Sequence, residues 1–370
     1  MSDNIVMKGK TPNLRIPGPT PLSPDVIKAS SRQMISHRGR EYEEMQKRVT
    51  GNLLYFFQTK NDLFLLTSSG MGGLEAAVVN FFSPSDKLIF FTVGEFGNRW
   101  AEIAKRYQAK LIRVKFPAGK SCEKEEVIRV LSENKDAAGV FITHNETSSG
   151  VLNDVEAISP LVRQHPNKPL FLVDSISSMG AVNLPVDDWG IDVAVSASQK
   201  AWMSPPGLSF ISVSARAWER YGKALMPKYY FDLNMYRDFA AKNQTPATPA
   251  VGVLFGLDCA LENMRKTGRE KIFKKHLQMR DYLRAELRKI GLQLFVSDSE
   301  ASPTVTSIVI PRDIDYHRWL EFLREKYNVI LAGGMGETKG RIIRVAHMGM
   351  VEKENLNEVV DALEKSLKKM

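Results

Sequence analysis

Between residues 62 and 200 the chain alternates short, apolar or β-branched runs with longer stretches of helical character, and this alternation narrows the fold more than any other feature. Strand-like runs cover 63–67, 87–92, 110–115, 139–143, 169–174 and 192–197, and helical stretches such as 73–82, 96–107 and 123–133 lie between most of them. A strand followed by a crossover helix returns as a parallel strand, so the pattern predicts an α/β fold with a mainly parallel, doubly wound sheet. In open sheets of this kind ligands bind beyond the carboxyl ends of the strands. Two runs deliver reactive side chains there: one closes on Asp174, and the other is followed by Ser198-Gln199-Lys200.

A carboxylate and an amine at neighbouring strand ends have two readings. One is a structural ion pair at the sheet rim. The other is a site for pyridoxal phosphate, in which Lys200 holds the aldehyde as a Schiff base and Asp174 keeps the pyridine nitrogen protonated, so that the ring draws electrons from the substrate. The strand ends alone leave both open.

The flanking words shift the balance. Val173-Asp174-Ser175, the lead-in Gly190-Ile191-Asp192, Ser198-Gln199-Lys200-Ala201 and Pro205-Pro206-Gly207 occur together. This combination resembles the class V aminotransferases among the fold type I pyridoxal-phosphate enzymes, and within them the branch of alanine–glyoxylate and serine–pyruvate aminotransferases. The resemblance runs from about Pro17 to the C-terminal helix. It implies a large cofactor-binding domain over 16–258, preceded by an arm over 1–15 and followed by a smaller α+β domain over 259–370. The residues themselves suggest that change of texture: two long helices over 250–290, strand-like runs at 292–296, 304–311 and 341–346, and helices at 316–327 and from 352.

Several motifs acquire roles through the resemblance. Thr67-Ser68-Ser69-Gly70-Met71-Gly72-Gly73 stands between a strand and a helix, where backbone amides bind anions and glycines let a phosphate approach. A turn that merely starts a helix reads the same way. The resemblance carries Ser69, Gly70 and Met71 over as phosphate ligands, with Gln199 beside them. It places Phe96 against the pyridine face, where mammalian-type sequences have tryptophan, and gives the hydroxyl of Ser148 and the side chain of Ile176 to the cofactor or its surroundings. Thr245 and Thr248 are implied to reach the phosphate of a neighbouring subunit, which makes a homodimer obligatory. Gly18, in Ile16-Pro17-Gly18-Pro19-Thr20-Pro21, falls at the mouth of the substrate pocket.

Arg344 is placed by alternation on the same strand face as Ile342 and Ala346. A solvent-facing arginine on an edge strand is one reading. The other is an anionic partner for a guanidinium on an apolar face, and the resemblance puts the substrate carboxylate there. His37, Arg38, Arg40 and His144 stay outside the mechanism: Arg40 is expected to face solvent, His144 to be structural, and Arg38 is the weaker candidate for a second cation.

Other classes of function fit less well. Lys and Arg number 51 against 42 acids, for a net charge of +9, but the basic residues are scattered and the run over 266–275 reads as a solvated helix face, not a nucleic-acid track. No metal motif is present, and His37, His144, His165, His276, His317 and His347 are dispersed. Cys122 and Cys259 offer no disulfide framework, and the first eight residues lack an apolar signal core, so a cytoplasmic protein without membrane spans is expected. A cysteine desulfurase or decarboxylase on this fold typically has histidine before the lysine, where this chain has Gln199. A non-catalytic binding protein has no need of Asp174, Lys200 and Arg344 together. The expectation is an aminotransferase passing the amino group of alanine or serine to glyoxylate or pyruvate, with aspartate or ureidoglycine aminotransferases as the alternatives.

Overall fold

The computed structural model describes residues 11–369. The first ten residues, and with them the reading of a signal-free start, lie outside that range. Seven strands form the central sheet: β1 (Asp62–Leu66), β2 (Lys87–Thr92), β3 (Lys110–Lys115), β4 (Gly139–Thr143), β5 (Leu170–Asp174), β6 (Val193–Ala197) and β7 (Ser209–Val213). Their spatial order is β1-β7-β6-β5-β4-β2-β3. Every pairing is parallel except those of β7, which runs antiparallel to both β1 and β6.

The strands read as near-continuous apolar runs because both faces are covered. Ile89, Phe91, Phe171 and Val173 enter the core on one side of the sheet, whereas their chain neighbours Leu88, Phe90, Leu170 and Leu172 enter the core on the other. β3 closes one edge; it is only partly buried and carries a lysine at each end, which blunts the exposed edge. β7 was not among the expected strands, since Ser209 and Ser212 interrupt its apolar run. Both are buried. The Ser209 hydroxyl lies 2.8 Å from that of Ser68, and the Ser212 hydroxyl accepts from the Ala194 amide at 3.3 Å, which satisfies them inside the core.

Seven helices matter for the site and its support: α1 (Arg40–Phe57), α2 (Gly70–Val79), α3 (Glu95–Arg106), α4 (Val251–Thr267), α5 (Arg269–Lys289), α6 (Tyr316–Tyr327) and α7 (Lys353–Leu367). α1, an amphipathic helix that the sequence reading passed over, buries Tyr42, Met45, Val49, Leu53, Phe56 and Phe57. The boundary expected between 258 and 259 falls inside α4. Leu254 and Leu257 before it, and Leu261 and Met264 after it, pack in the same large core, because a helix presents one continuous stripe and is not divided in mid-turn.

The C-terminal part has its own core, in which Leu283, Leu287, Trp319, Leu323, Ile343, Val345, Leu356 and Leu363 meet. Leu277 lies off the buried stripe of α5 and is 41% exposed. A three-stranded antiparallel sheet runs in the order β8 (Val305–Val309), β10 (Ile342–Ala346), β9 (Ala332–Gly333). The run 292–296 is not a strand and contributes a single bridge, Leu294 to Ile308. β10 is central, with Arg344 opposite Ser307 on one side and Ala332 on the other, so the edge-strand reading of that arginine is overturned. The expected arm is part of the fold from Asn13 on: Asn13–Leu14 pairs in parallel with Val329–Ile330, and the Arg15 carbonyl accepts from Ala346.

Candidate active site

A cleft of about 120 Å³ lies at the carboxyl ends of β5 and β6, lined by Ser69, Gly70, Met71, Phe96, Asn145, Thr147, Asp174, Ile176, Ser177, Gln199 and Lys200. Eight of these were singled out in the sequence; Asn145, Thr147 and Ser177 were not.

Asp174 is the last residue of β5, and the strand carries its carboxylate into the interior, 3% exposed. One oxygen accepts from the Ile176 amide at 3.0 Å and the other faces the Thr143 hydroxyl at 3.4 Å. Burial pushes its pKa up to about 7, against the opposing pull of those hydrogen bonds and of Lys200. Burial also lowers the Lys200 amine to about 8, with the Arg344 charge adding to the drop. Lys200 Nζ donates to the Pro17 carbonyl.

The segment around Gly18 is fastened to the lysine turn: Thr20 donates its amide to the Gln199 carbonyl at 3.1 Å and its hydroxyl to the Lys200 carbonyl at 2.9 Å. Gly18 has φ +118°, and a Cβ there would come within 2.8 Å of Lys200 Nζ, so only glycine serves at this point of the wall.

The N-terminus of α2 also lines the cleft. Ser69 is its N-cap and makes no side-chain capping bond, and the first amides of a helix have no intrahelical partner, so this end is an anion site in waiting. A Cβ on Gly70 would stand 2.6 Å from Ile176 Cδ1. Two buried oxygens on the lining, Gln199 Oε1 and Asn145 Oδ1, have no hydrogen-bond partner among the described residues. Buried polar atoms are rarely left so. Phe96 forms an aromatic wall, its ring centre 5.9 Å from Lys200 Nζ and 5.5 Å from the Arg99 guanidinium.

Arg344 approaches from β10. Its Nε donates to the Gly333 carbonyl at 2.8 Å and Nη1 to that of Thr147 at 2.9 Å. Burial lowers its pKa to about 10, still well above neutral.

Two sequence expectations, those on Ser148 and Arg38, meet a different arrangement, while that on Thr245 and Thr248 concerns a neighbouring subunit. The Ser148 hydroxyl does not line the cleft; it donates to Glu146 at 2.6 Å and accepts from the Glu95 amide at 3.0 Å, so it ties loop to helix. Thr245 is buried and its hydroxyl donates to the Ala247 carbonyl at 2.8 Å, whereas Thr248 is exposed; neither lines this cleft within one chain. Arg38 is spent: it donates to Gln244 Oε1 at 3.1 Å and to the carbonyls of Thr245 and Pro246 at 2.6 and 3.2 Å. These contacts hold the guanidinium on the loop 244–246, and Arg38 is not among the residues that line the cleft in its own chain. His144 is structural as expected, buried with Nδ1 3.0 Å from the Ser178 hydroxyl and held neutral by burial, which lowers its pKa to about 3. Arg40 is exposed and pairs with Glu44 at 2.8 Å.

Glu146 is the residue the sequence reading most clearly missed. It is fully buried, and burial raises its pKa. A short polar word after a strand, Asn145-Glu146-Thr147-Ser148, was the available signal, but nothing local says that the acid turns inward.

The chain is similar to known proteins along nearly its whole length. The family model described as Aminotransferase class-V matches residues 19–349. A relative named soluble hydrogenase, small subunit, from Synechococcus sp. (strain PCC 6716) is 39% identical over 353 residues, spanning 95% of this chain and 91% of its own length. The L-aspartate–glyoxylate aminotransferase of Paracoccus denitrificans is 31% identical over 338 residues, covering 90% of this chain and 85% of that protein. The crystal structure of an alanine–glyoxylate aminotransferase from Nostoc sp. matches with a TM-score of 0.93 at 28% identity, covering 99% of each chain.

Proposed function

Because the chain belongs to the class V aminotransferases, we propose that it moves an amino group from a small amino acid, alanine or serine, to a 2-oxo acid, glyoxylate or pyruvate. Enzymes of this class work through pyridoxal 5′-phosphate, and the cleft fits that group. The N-terminus of α2, with amide donors and no side-chain cap, suits the phosphate, Phe96 and Ile176 suit the ring, and Asp174 and Lys200 suit its nitrogen and aldehyde.

When bound, the cofactor supplies an aldehyde that takes up an amine and a ring that accepts the electrons left when the α-proton departs. Asp174 would hold a proton at the ring nitrogen, its carboxylate being buried with no solvent to share the charge. Lys200 Nζ, its amine lowered to about 8 by burial, would take the α-proton as a base and, as an acid, give it back at the carbon that was the cofactor's aldehyde, across the intervening nitrogen. Arg344 binds the substrate carboxylate, with two of its N–H groups already fastened to Gly333 and Thr147 so that the guanidinium is held in place.

The observation that carries the substrate assignment is the buried Arg344 guanidinium, fastened to the carbonyl of Thr147 on the cleft lining. One bidentate arginine matches one α-carboxylate, and Arg38 is engaged elsewhere. The test compares alanine, serine, aspartate and glutamate as donors against glyoxylate and pyruvate. A clear preference for aspartate or glutamate overturns the reading. A second reading, aspartate as donor, is favoured by one feature, the exposed Arg99 over the Phe96 ring; in that outcome Arg99→Ala removes the aspartate activity selectively.

The assembly we propose is a homodimer with each site completed by the partner. Thr248 is exposed on its loop, where its hydroxyl is open to a partner's phosphate, while Thr245 shapes the turn. Ile27 and Met34 add exposed apolar surface of the kind a dimer covers. A cytoplasmic location is part of the same proposal, supported by two unpaired cysteines. No helix among the described residues is long and apolar enough to cross a membrane.

A further inference from the structure

α3 begins at the aromatic wall of the cleft and brings no side-chain cap of its own; its N-cap is Gly94. The cap comes from a loop in another part of the chain. Glu146 Oε2 accepts from the amides of Phe96 at 3.0 Å and Gly97 at 3.2 Å. Its Oε1 accepts from the Ser148 amide at 3.0 Å and the Ser148 hydroxyl at 2.6 Å. The same hydroxyl accepts from the Glu95 amide at 3.0 Å. Three successive amides of the first turn of α3 therefore end on the loop 146–148.

The fit is close. A Cβ on Gly94 would stand 2.6 Å from Glu146 Cγ and 2.4 Å from Ser148 Oγ, so the carboxylate reaches the helix only over a glycine. A carboxylate buried without a hydrogen-bonded cation is costly unless fully satisfied. Here four donors and the positive end of a helix supply the compensation.

The other side of this loop faces the C-terminal part. Thr147 lines the cleft, and its carbonyl accepts from Arg344 Nη1 at 2.9 Å. The Ser148 carbonyl accepts from the Thr338 hydroxyl at 3.2 Å. One three-residue loop thus carries the seat of the aromatic wall on one flank and the anchor of the carboxylate-binding arginine on the other.

We propose that Glu146 is a positioning residue for transamination: its buried carboxylate sets Phe96 against the cofactor ring and, through the loop that carries Thr147, registers that ring with Arg344. The inference rests on the aminotransferase reading above. It assigns Glu146 no contact with substrate and no part in proton transfer.

The test is a double-mutant cycle with Glu146→Gln and Phe96→Ala, read as the affinity of the cofactor-free protein for pyridoxal 5′-phosphate by equilibrium dialysis. Glu146→Gln weakens binding about tenfold in the wild-type background and changes little once Phe96 is already alanine, because the two act as one unit. Additive losses overturn the proposal. A second measurement needs no cofactor: hydrogen exchange of the amides of residues 95–97 speeds up in Glu146→Gln, and unchanged exchange also overturns it. Should Glu146→Gln not fold, Ser148→Ala removes one of the four donors and enters the same cycle. Failure of the wild type to bind pyridoxal 5′-phosphate counts against the aminotransferase reading instead, and the exchange result still judges the link between Glu146 and Phe96.

Discussion

Asp174 shows how a single residue sets stability against function. Its carboxyl is driven from the usual 3.8 to about 7 by burial, so in the cofactor-free protein folding takes up a proton at this side chain over that range. A folded pKa raised above the unfolded value gives a stabilising contribution that is complete below about pH 4 and is lost as pH rises through about 7. Asp174→Asn removes that dependence. The cofactor-free variant is expected to melt higher than wild type at pH 8, by a difference on the order of a few kcal/mol, with the gap closing toward pH 4. Turnover of the same variant falls by orders of magnitude, because an amide holds no proton at the ring nitrogen by charge. A melting difference that does not vary with pH would show that burial is not the cause. For Lys200 the expected outcome is simpler: Lys200→Ala abolishes transamination and keeps the fold, and borohydride treatment of the holoenzyme labels the peptide containing Lys200. Label recovered on another lysine overturns the assignment.

Elements decide what a residue can reach. Arg344 belongs to β10, the middle strand of its sheet, and two of its N–H groups are committed to carbonyls of β9 and of the loop after β4. Truncation to alanine therefore has two separable effects. It removes a charge-assisted contact with every monocarboxylate alike, about 10- to 150-fold in kcat/KM. It also leaves the Gly333 and Thr147 carbonyls without their donors, at a cost of about 1–3 kcal/mol of stability each if water does not replace the arginine. Steady-state kinetics with alanine and serine, beside thermal melting, checks both; a kinetic loss confined to one substrate argues for a different carboxylate anchor. Lysine at this position is not expected to rescue, since a single ammonium does not reproduce the guanidinium fork.

At the scale of the whole molecule, the question is whether the cleft is complete in one chain. Lys200, Asp174, Phe96 and the N-terminus of α2 already meet there, but Thr248 does not. On the proposed assembly, in which Thr248 reaches a partner's phosphate, cofactor retention and dimerisation are expected to be coupled. Dilution followed by mass photometry and cofactor fluorescence should show pyridoxal 5′-phosphate leaving as monomers form, and Thr248→Ala should shift that release to higher protein concentration. A monomer that keeps the cofactor as tightly as the dimer contradicts the coupling.

The strands β2, β3 and β4 were legible to the residue in the sequence, and Asp174 and Lys200 with them, because a doubly covered parallel sheet needs unbroken apolar runs and puts whatever follows them at the ligand edge. Family resemblance added Ser69, Gly70, Met71, Phe96, Ile176 and Gln199, and the structure brings all of them to the same cleft. What stayed hidden was set by partners distant in sequence. β7 did not look like a strand, as its serines are satisfied only by Ser68 and by the neighbouring strand. Arg38 looked available until the loop 244–246 closed on it. Ser148 looked like a cofactor ligand, yet its hydroxyl meets Glu146 and the start of α3. Local pattern determines which segments bury and which ends carry chemistry. Which donor meets which acceptor across some fifty residues of chain, as between Phe96 and Glu146, is decided only when tertiary packing excludes water and every buried polar group must find a partner.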